Sequence, residues 1–220
     1  MKEKKKEGES GLNRNYQKEL EKIIAENDRL HKKPRLLLHV CCAPCSSYCL
    51  EYLDTHFEVV LDYYNPNISP RDEYDKRVEE LKRLLKEMEL SEPVSLHVGD
   101  YEPERFFEMA KGLEQEPEGG ERCSACYEMR LRQAALTAIQ SGCDYFTTTL
   151  SISPYKNAHK LNEIGQRLAE EYGVSYLPSD FKKKNGYKRS IELSKRYSLY
   201  RQDYCGCPYS RMEAEKKRKR

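Results

Sequence analysis

Seven cysteines in three tight groups set the strongest constraint on how this chain can fold. The groups are Cys41-Cys42-Ala43-Pro44-Cys45, Cys123-Ser124-Ala125-Cys126 and Cys205-Gly206-Cys207, out of nine cysteines in 220 residues. They are spread over most of the chain, so the fold must bring them together. A reduced protein that gathers this many thiols binds a metal or does redox chemistry.

Reduced thiols fit the rest of the chain. No apolar stretch reaches the ~18–20 residues that a membrane span needs. No apolar segment follows the basic MKEKKK start, so no secretory signal is read there. A cytoplasmic protein with no membrane partner is expected. The length suits one domain with a sizeable core. Charged residues make up 35%, yet the formal net charge is only +2, so no global field draws in nucleic acid. Basic residues are placed unevenly: they open the chain, recur at Lys182-Lys183-Lys184 and close it as EKKRKR.

Strand and helix patterns alternate. Residues 1–14 read as disordered, and 15–31 as an amphipathic helix. Short apolar or β-branched runs at 36–40, 57–64, 94–98, 145–149 and 174–177 read as strands. Helices are expected at about 45–53, 70–89, 103–111, 125–140, 157–172 and 185–201, with Gly173 closing one of them. This order predicts an α/β fold: a single domain with a parallel, Rossmann-like (HUP-like) sheet of about five strands flanked by helices. Such sheets bind ligands beyond the carboxyl ends of their strands. The first cysteine group follows the first strand and should lie at that edge.

Neighbouring Cys41 and Cys42 diverge on an extended backbone, and Gly206 lets Cys205 and Cys207 diverge too. Cys123 and Cys126, three apart at a helix start, can grip one centre. Four thiolates suffice for a cubane iron–sulfur cluster or a structural zinc. About three then remain for a second metal. On spacing alone a single zinc with spare core thiols stands level with an iron–sulfur cluster, and a dithiol redox pair is the smaller alternative. Cys49 and Cys143 read as small core residues.

Further motifs accompany these groups in order. They are His39-Val40 before the first group, Tyr63-Tyr64-Asn65-Pro66-Asn67-Ile68, and Glu73-Tyr74 with Arg77. Arg122 and Tyr127 flank the second group, with Arg130 and Leu131 beyond. Thr147 to Lys156, Tyr187-Lys188-Arg189-Ser190 and Tyr204 complete the set. From about residue 36 to 210 this set resembles the QueH-type epoxyqueuosine reductases. The resemblance implies reductive removal of an epoxide oxygen from the modified wobble base of tRNA. It implies a [4Fe-4S] cluster with an additional iron ion beside it, and position 45 held by aspartate or cysteine. An external one-electron donor such as ferredoxin or flavodoxin is then required. The expected cluster ligands are Cys42, Cys123, Cys126 and Cys205, with Cys41, Cys45 and Cys207 on the second metal.

On this reading residues 1–33 are a polar extension with a helix, 34–210 the catalytic domain and 211–220 a basic tail. Asp62, Tyr64 and Asp203 are the acids considered for protonating the departing oxygen. Asn65, with Tyr64, is expected to line a substrate pocket, and Thr148 and Ser153, in the segment after the fourth strand, to bind phosphate or ribose through hydroxyls and backbone N–H. Lys183, Lys184, Tyr187, Lys188 and Arg189 interleave basic and aromatic residues, which suits an RNA loop. Two rivals remain. A zinc-stapled RNA-binding module would be colourless, whereas an iron–sulfur protein is brown. A tRNA sulfur-transfer enzyme on a similar fold would need an SGGxDS loop after the first strand, where this chain reads CCAPCSS.

Overall fold

Leu36, Leu37 and Leu38 are fully buried, and their strand lies at the centre of the sheet. The computed structural model describes residues 14–219. The disorder expected for 1–14 therefore falls, but for Arg14, outside the described residues. Five strands run parallel in the order β3-β2-β1-β4-β5: β1 is Arg35–His39, β2 Glu58–Tyr63, β3 Ser95–Val98, β4 Tyr145–Thr148 and β5 Ser175–Tyr176. The strand order reverses between β1 and β4. In a parallel sheet the chain leaves those two strands in opposite directions, which opens a crevice beyond their carboxyl ends.

Alternation along β1 divides the core. Leu36, Leu38 and Val40 face α1 (Tyr16–Arg29), α2 (Ala43–Leu53) and α3 (Arg71–Glu87). Leu37 packs on the other side against α5 (Glu121–Gln140) and α6 (Ala158–Tyr172). A short α4 (Pro103–Ala110) packs on α5, and α7 (Gly186–Arg196) packs on α2. The N-terminal helix is part of this core. Leu20 and Ile24 of α1 are buried, and Tyr16 Oη lies 2.6 Å from His159 Nδ1 of α6.

Three boundaries differ from the sequence reading. Helix α5 begins at Glu121, so Cys123 lies within its first turn; Gly120 supplies the extended residue before it. Helix α7 stops at Arg196, two residues before Ser198 takes a positive φ of 49°. The basic tail is a helix, α8 (Pro208–Arg218), with proline at its first position and Cys207 as its cap. The Cys207 sulfur accepts the Ser210 N–H at 3.4 Å.

Gly165 on α6 lets that helix pack closely on the sheet. A Cβ there would lie against the ring of Tyr176 on β5. Gly165→Ala should destabilise the fold by about 1–3 kcal/mol through overpacking. A lowered urea midpoint with an unchanged slope is the expected result.

Candidate metal centre at the sheet switch point

Seven thiols reach the crevice by three routes. The first is the turn from β1 into α2. Val40 N–H donates to the Asp62 carbonyl, and Asn65 Nδ2 donates to the Val40 carbonyl at 2.9 Å. These bonds set where β1 ends and where the cysteine turn begins. The sulfurs of Cys41, Cys42 and Cys45 lie within 4.8 Å of one another, a group able to hold a metal ion. The second route is the first two turns of α5, where three-residue spacing puts Cys123 and Cys126 on one side. Gly119 N–H donates to Cys123 Sγ at 3.3 Å.

The third route is a return of the chain along α3. Residues 197–205 are held by one face of that helix, at spacings of three and four. Arg83 donates to the Tyr197 carbonyl at 2.9 Å. Glu80 accepts the Tyr200 N–H at 2.7 Å, and Glu73 accepts the Tyr200 hydroxyl at 3.0 Å. Arg77 donates to the Cys205 carbonyl at 3.0 Å. The segment thus climbs α3 to the carboxyl edge of the sheet and delivers Cys205 and Cys207. Arg122 fastens the end of this path. Its Nη1 meets the carbonyls of Leu113, Glu114 and Glu116 at 3.0, 2.9 and 2.6 Å. Its guanidinium also sits 4.3 Å from the ring centre of Tyr209 on α8. Cys126 and Cys207 share a small cluster with Phe106.

The thiols therefore divide into Cys41, Cys42 and Cys45 on one side and Cys123, Cys126, Cys205 and Cys207 on the other. Each member of the second set lies within electrostatic reach of the others. This division differs from the one expected from sequence, which paired Cys42 with the second set and Cys207 with the first. All nine cysteines are free thiols; Cys49 is fully buried and Cys143 nearly so.

Positive charge backs the thiols. Arg77 and Arg130 are each 1% exposed, and both have buried nitrogens without a protein partner: Arg77 Nη2, Arg130 Nε and Arg130 Nη1. Lys156, half-buried, places Nζ 3.3 Å from Cys205 Sγ. Burial opposes the charge of Lys156, but the sulfurs of Cys205 and Cys41 and the Tyr127 phenol outweigh it, so the ammonium persists. The same balance holds for Arg130, facing Cys126, Cys41 and Cys205. Cys41 is held well below its ordinary value. Hydrogen bonds from the Cys42 and Cys45 thiols stabilise its thiolate against burial, and Arg130 and Lys156 add their field. Burial pushes the Cys126 thiol up to about 12. The donor set is thus soft, crowded and backed by buried cations with unused donors, which fits an anionic thiolate-bound metal group.

In sequence these cations carry no role of their own; Arg77, Arg130 and Lys156 stand within the ordered motifs that accompany the cysteine groups. Other predicted residues take different places. Asn65 is fully buried and accepts from Arg130 Nη2 at 2.5 Å, so it braces the β1 turn instead of lining an open pocket. Thr148 is also buried; its hydroxyl lies 2.9 Å from His39 Nδ1 and accepts the Leu150 N–H. His39 Nε2 faces the Tyr64 carbonyl at 3.2 Å, which only accepts, so Nε2 carries the proton. Burial, with Arg130 nearby, pulls this imidazole down to about 3, so it stays neutral. Ser153 Oγ accepts the Tyr155 N–H at 3.3 Å.

Asp62 is fully buried on β2, 2.9 Å from His97 Nδ1, and burial raises its carboxyl above the ordinary range. Tyr64 donates to Glu102 at 3.2 Å, and burial pushes its phenol up to about 12. Asp203 is exposed and paired with Arg218, which holds its carboxyl below the ordinary value. Among the basic residues, Lys184 pairs with Glu21 of α1, and Arg189 pairs with Glu51 of α2 and with Glu192. Lys183 and Lys188 are exposed, and Tyr187 is half-buried.

Fold and site together define a class: a doubly wound α/β protein with a thiol-rich, cation-backed centre at the switch point of its sheet. The family model described as epoxyqueuosine reductase QueH matches residues 36–213. A relative of that name from Staphylococcus epidermidis is 45% identical over 203 residues, covering 90% of this chain and 85% of its own. One from Streptococcus pyogenes is 41% identical, covering 89% of this chain and 78% of its own. One from Thermotoga maritima is 35% identical, covering 83% and 93%. The chain belongs to the QueH family. No helix among the described residues is long and apolar enough to cross a membrane.

Gly206 tests how the third route is held. Its φ is +117°, and a Cβ would meet Ile68 at 2.9 Å and Arg77 Nη1 at 3.0 Å. Gly206→Ala should displace Cys205 and Cys207, lowering bound metal per chain at least twofold. Metal analysis alongside circular dichroism separates this loss from unfolding.

Proposed function

We infer that this protein is an epoxyqueuosine reductase, an oxidoreductase of tRNA modification. One observation of the structure carries this reading with the family membership: seven free thiols and three cations meet where an α/β sheet binds its ligand. Removing an epoxide oxygen as water takes two electrons and two protons and leaves an alkene.

We propose that Cys123, Cys126, Cys205 and Cys207 hold a [4Fe-4S] cluster, and that Cys41, Cys42 and Cys45 hold an additional iron. When bound, these centres supply electrons one at a time and a Lewis acid for the epoxide oxygen. The protein's own groups do the rest. Arg77, Arg130 and Lys156 lower the free energy of a negatively charged centre in a largely buried site. Burial raises the Asp62 carboxyl above its ordinary range and the Tyr64 phenol to about 12, and both are retained as proton sources for the departing oxygen. Asp203 is not retained, because an ion-paired carboxylate holds its proton weakly. An external one-electron protein such as ferredoxin or flavodoxin would serve as donor, in the cytoplasm, where thiols stay reduced.

For RNA, Lys183 and Lys188 are the phosphate contacts we keep from the basic stretch. Replacing both by alanine should lower the slope of log binding constant against log salt by about 1 to 2, the effect of one or two lost contacts. An unchanged slope would move the phosphate contacts elsewhere.

Anaerobically purified protein should hold about four irons and four sulfides per chain, plus about one further iron. It should convert epoxyqueuosine in tRNA to queuosine with a chemical or protein reductant. Stoichiometric zinc without sulfide would reject the reading. Cys126→Ala should abolish the sulfide content. Cys45→Ala should keep most of it while losing the additional iron, and Cys45→Asp should restore that iron, since a carboxylate also binds iron.

A further inference from the structure

Tyr155 is the most exposed of the large hydrophobic side chains among the described residues, at 73%, and it directly precedes Lys156, whose ammonium meets the Cys205 sulfur. It follows Ser153 and Pro154, just after the turn at the end of β4, and so lies at the carboxyl edge of the sheet. Its neighbour Lys156 points inward to the Cys205 sulfur. Consecutive Cα atoms are ~3.8 Å apart, so the ring and the buried ammonium leave the backbone at almost one point.

The ring is exposed, but its loop is pinned. Tyr155 N–H donates to Ser153 Oγ at 3.3 Å, and Lys156 N–H donates to the Ser153 carbonyl at 3.2 Å. Asn157 caps α6 by accepting the Lys160 N–H at 3.2 Å. One turn into α6, Lys160 Nζ lies 2.9 Å from Ser124 Oγ, beside Cys123. A second cation therefore stands at the same rim. Within the basic stretch at 183–189, Lys184 and Arg189 are instead engaged with Glu21 of α1 and Glu51 of α2.

We propose that Tyr155 is the stacking platform for an unpaired RNA base next to the modified nucleotide. The proposal rests on the tRNA reading above and deepens it by placing the loop of the substrate on this rim. Bases in RNA loops are splayed out and received on aromatic faces, and any base has a π-face to offer. A protein partner would want a contiguous apolar patch. Here the ring stands among Ser153, Pro154 and Asn157, with cations behind it. A rigid loop loses little entropy when the base arrives.

The chain contains no tryptophan, so Tyr155→Trp creates a single reporter. Adding an anticodon stem-loop carrying epoxyqueuosine to the metal-loaded Tyr155→Trp protein should quench its fluorescence saturably. Tyr155→Ala should weaken stem-loop binding about tenfold, the size of one base–aromatic stack. Tyr155→Phe should bind within about twofold of wild type, because the ring and not the hydroxyl makes the stack. Wild-type protein is assayed on the same RNA in parallel. If it reduces the RNA while the Trp signal stays flat and Tyr155→Ala binds normally, the platform is overturned and the reductase reading stands. If the Trp signal responds to a reduced ferredoxin and not to RNA, the rim is a donor-docking site and the proposal fails. If wild type neither binds nor reduces the RNA, the function falls and this inference with it.

Discussion

Buried positive charge facing thiolate sulfur is the interaction on which the rest of this structure depends. Arg77 and Arg130 are almost wholly inaccessible and leave donors unused within the protein. An unpaired buried ion costs several kcal/mol, whereas two opposite charges at 4 Å gain about 4 kcal/mol at an effective dielectric near 20. Glu73 answers part of Arg77, at 2.7 Å, whereas burial of the Arg130 charge is offset by the sulfurs of Cys126, Cys41 and Cys205. Sulfur at this site therefore completes the charge balance of the core. Metal loading and fold stability should be linked in this protein, as they are wherever ligand atoms are assembled by folding.

That charge arrangement needs a place to form, and the parallel sheet supplies it. β1 and β4 are the strands at which the order reverses, and both feed the crevice: β1 into the cysteine turn, β4 into the turn that leads to Lys156. Asn65 and His39 hold the two strand ends in place, one through Val40 and Arg130, the other through Thr148 and Tyr64. These polar residues sit where solvent is absent, and their value is orientation. A rotation of the β1 turn would move three sulfurs at once.

The carboxyl-terminal segment is the least conventional part of the architecture. It adds no strand; it climbs the polar face of α3 and then turns at Gly206 beneath Arg77. Glu73, Arg77, Glu80 and Arg83 look in sequence like a solvated charged face with internal ion pairs. In the fold they do that and also grip the backbone of 197–205, which gives long side chains a defined partner and lowers their freedom.

The alternation of strands and helices, the parallel sheet, and the edge at which the first cysteines emerge were all legible in the sequence, because each depends on local periodicity and on a turn immediately after a strand. The ordered motifs around the cysteines were legible too, and they carried the family. Legibility ended where side chains meet across long separations. The proximity of the Cys42 sulfur to those of Cys41 and Cys45 was not legible, since spacing within a group says nothing about the angle at which two groups converge. The brace that Asn65 forms is hidden from the sequence because nothing local reveals Arg130, 65 residues on, as its partner. The terminal EKKRKR run read as a tail because its charge hides a helix start built from Cys207 and Pro208. The sequence by itself determined the chemistry available: soft ligands, paired cations and a parallel sheet to carry them. The tertiary structure alone decided which of them touch, because burial and charge balance are properties of the assembled core and not of any window along the chain.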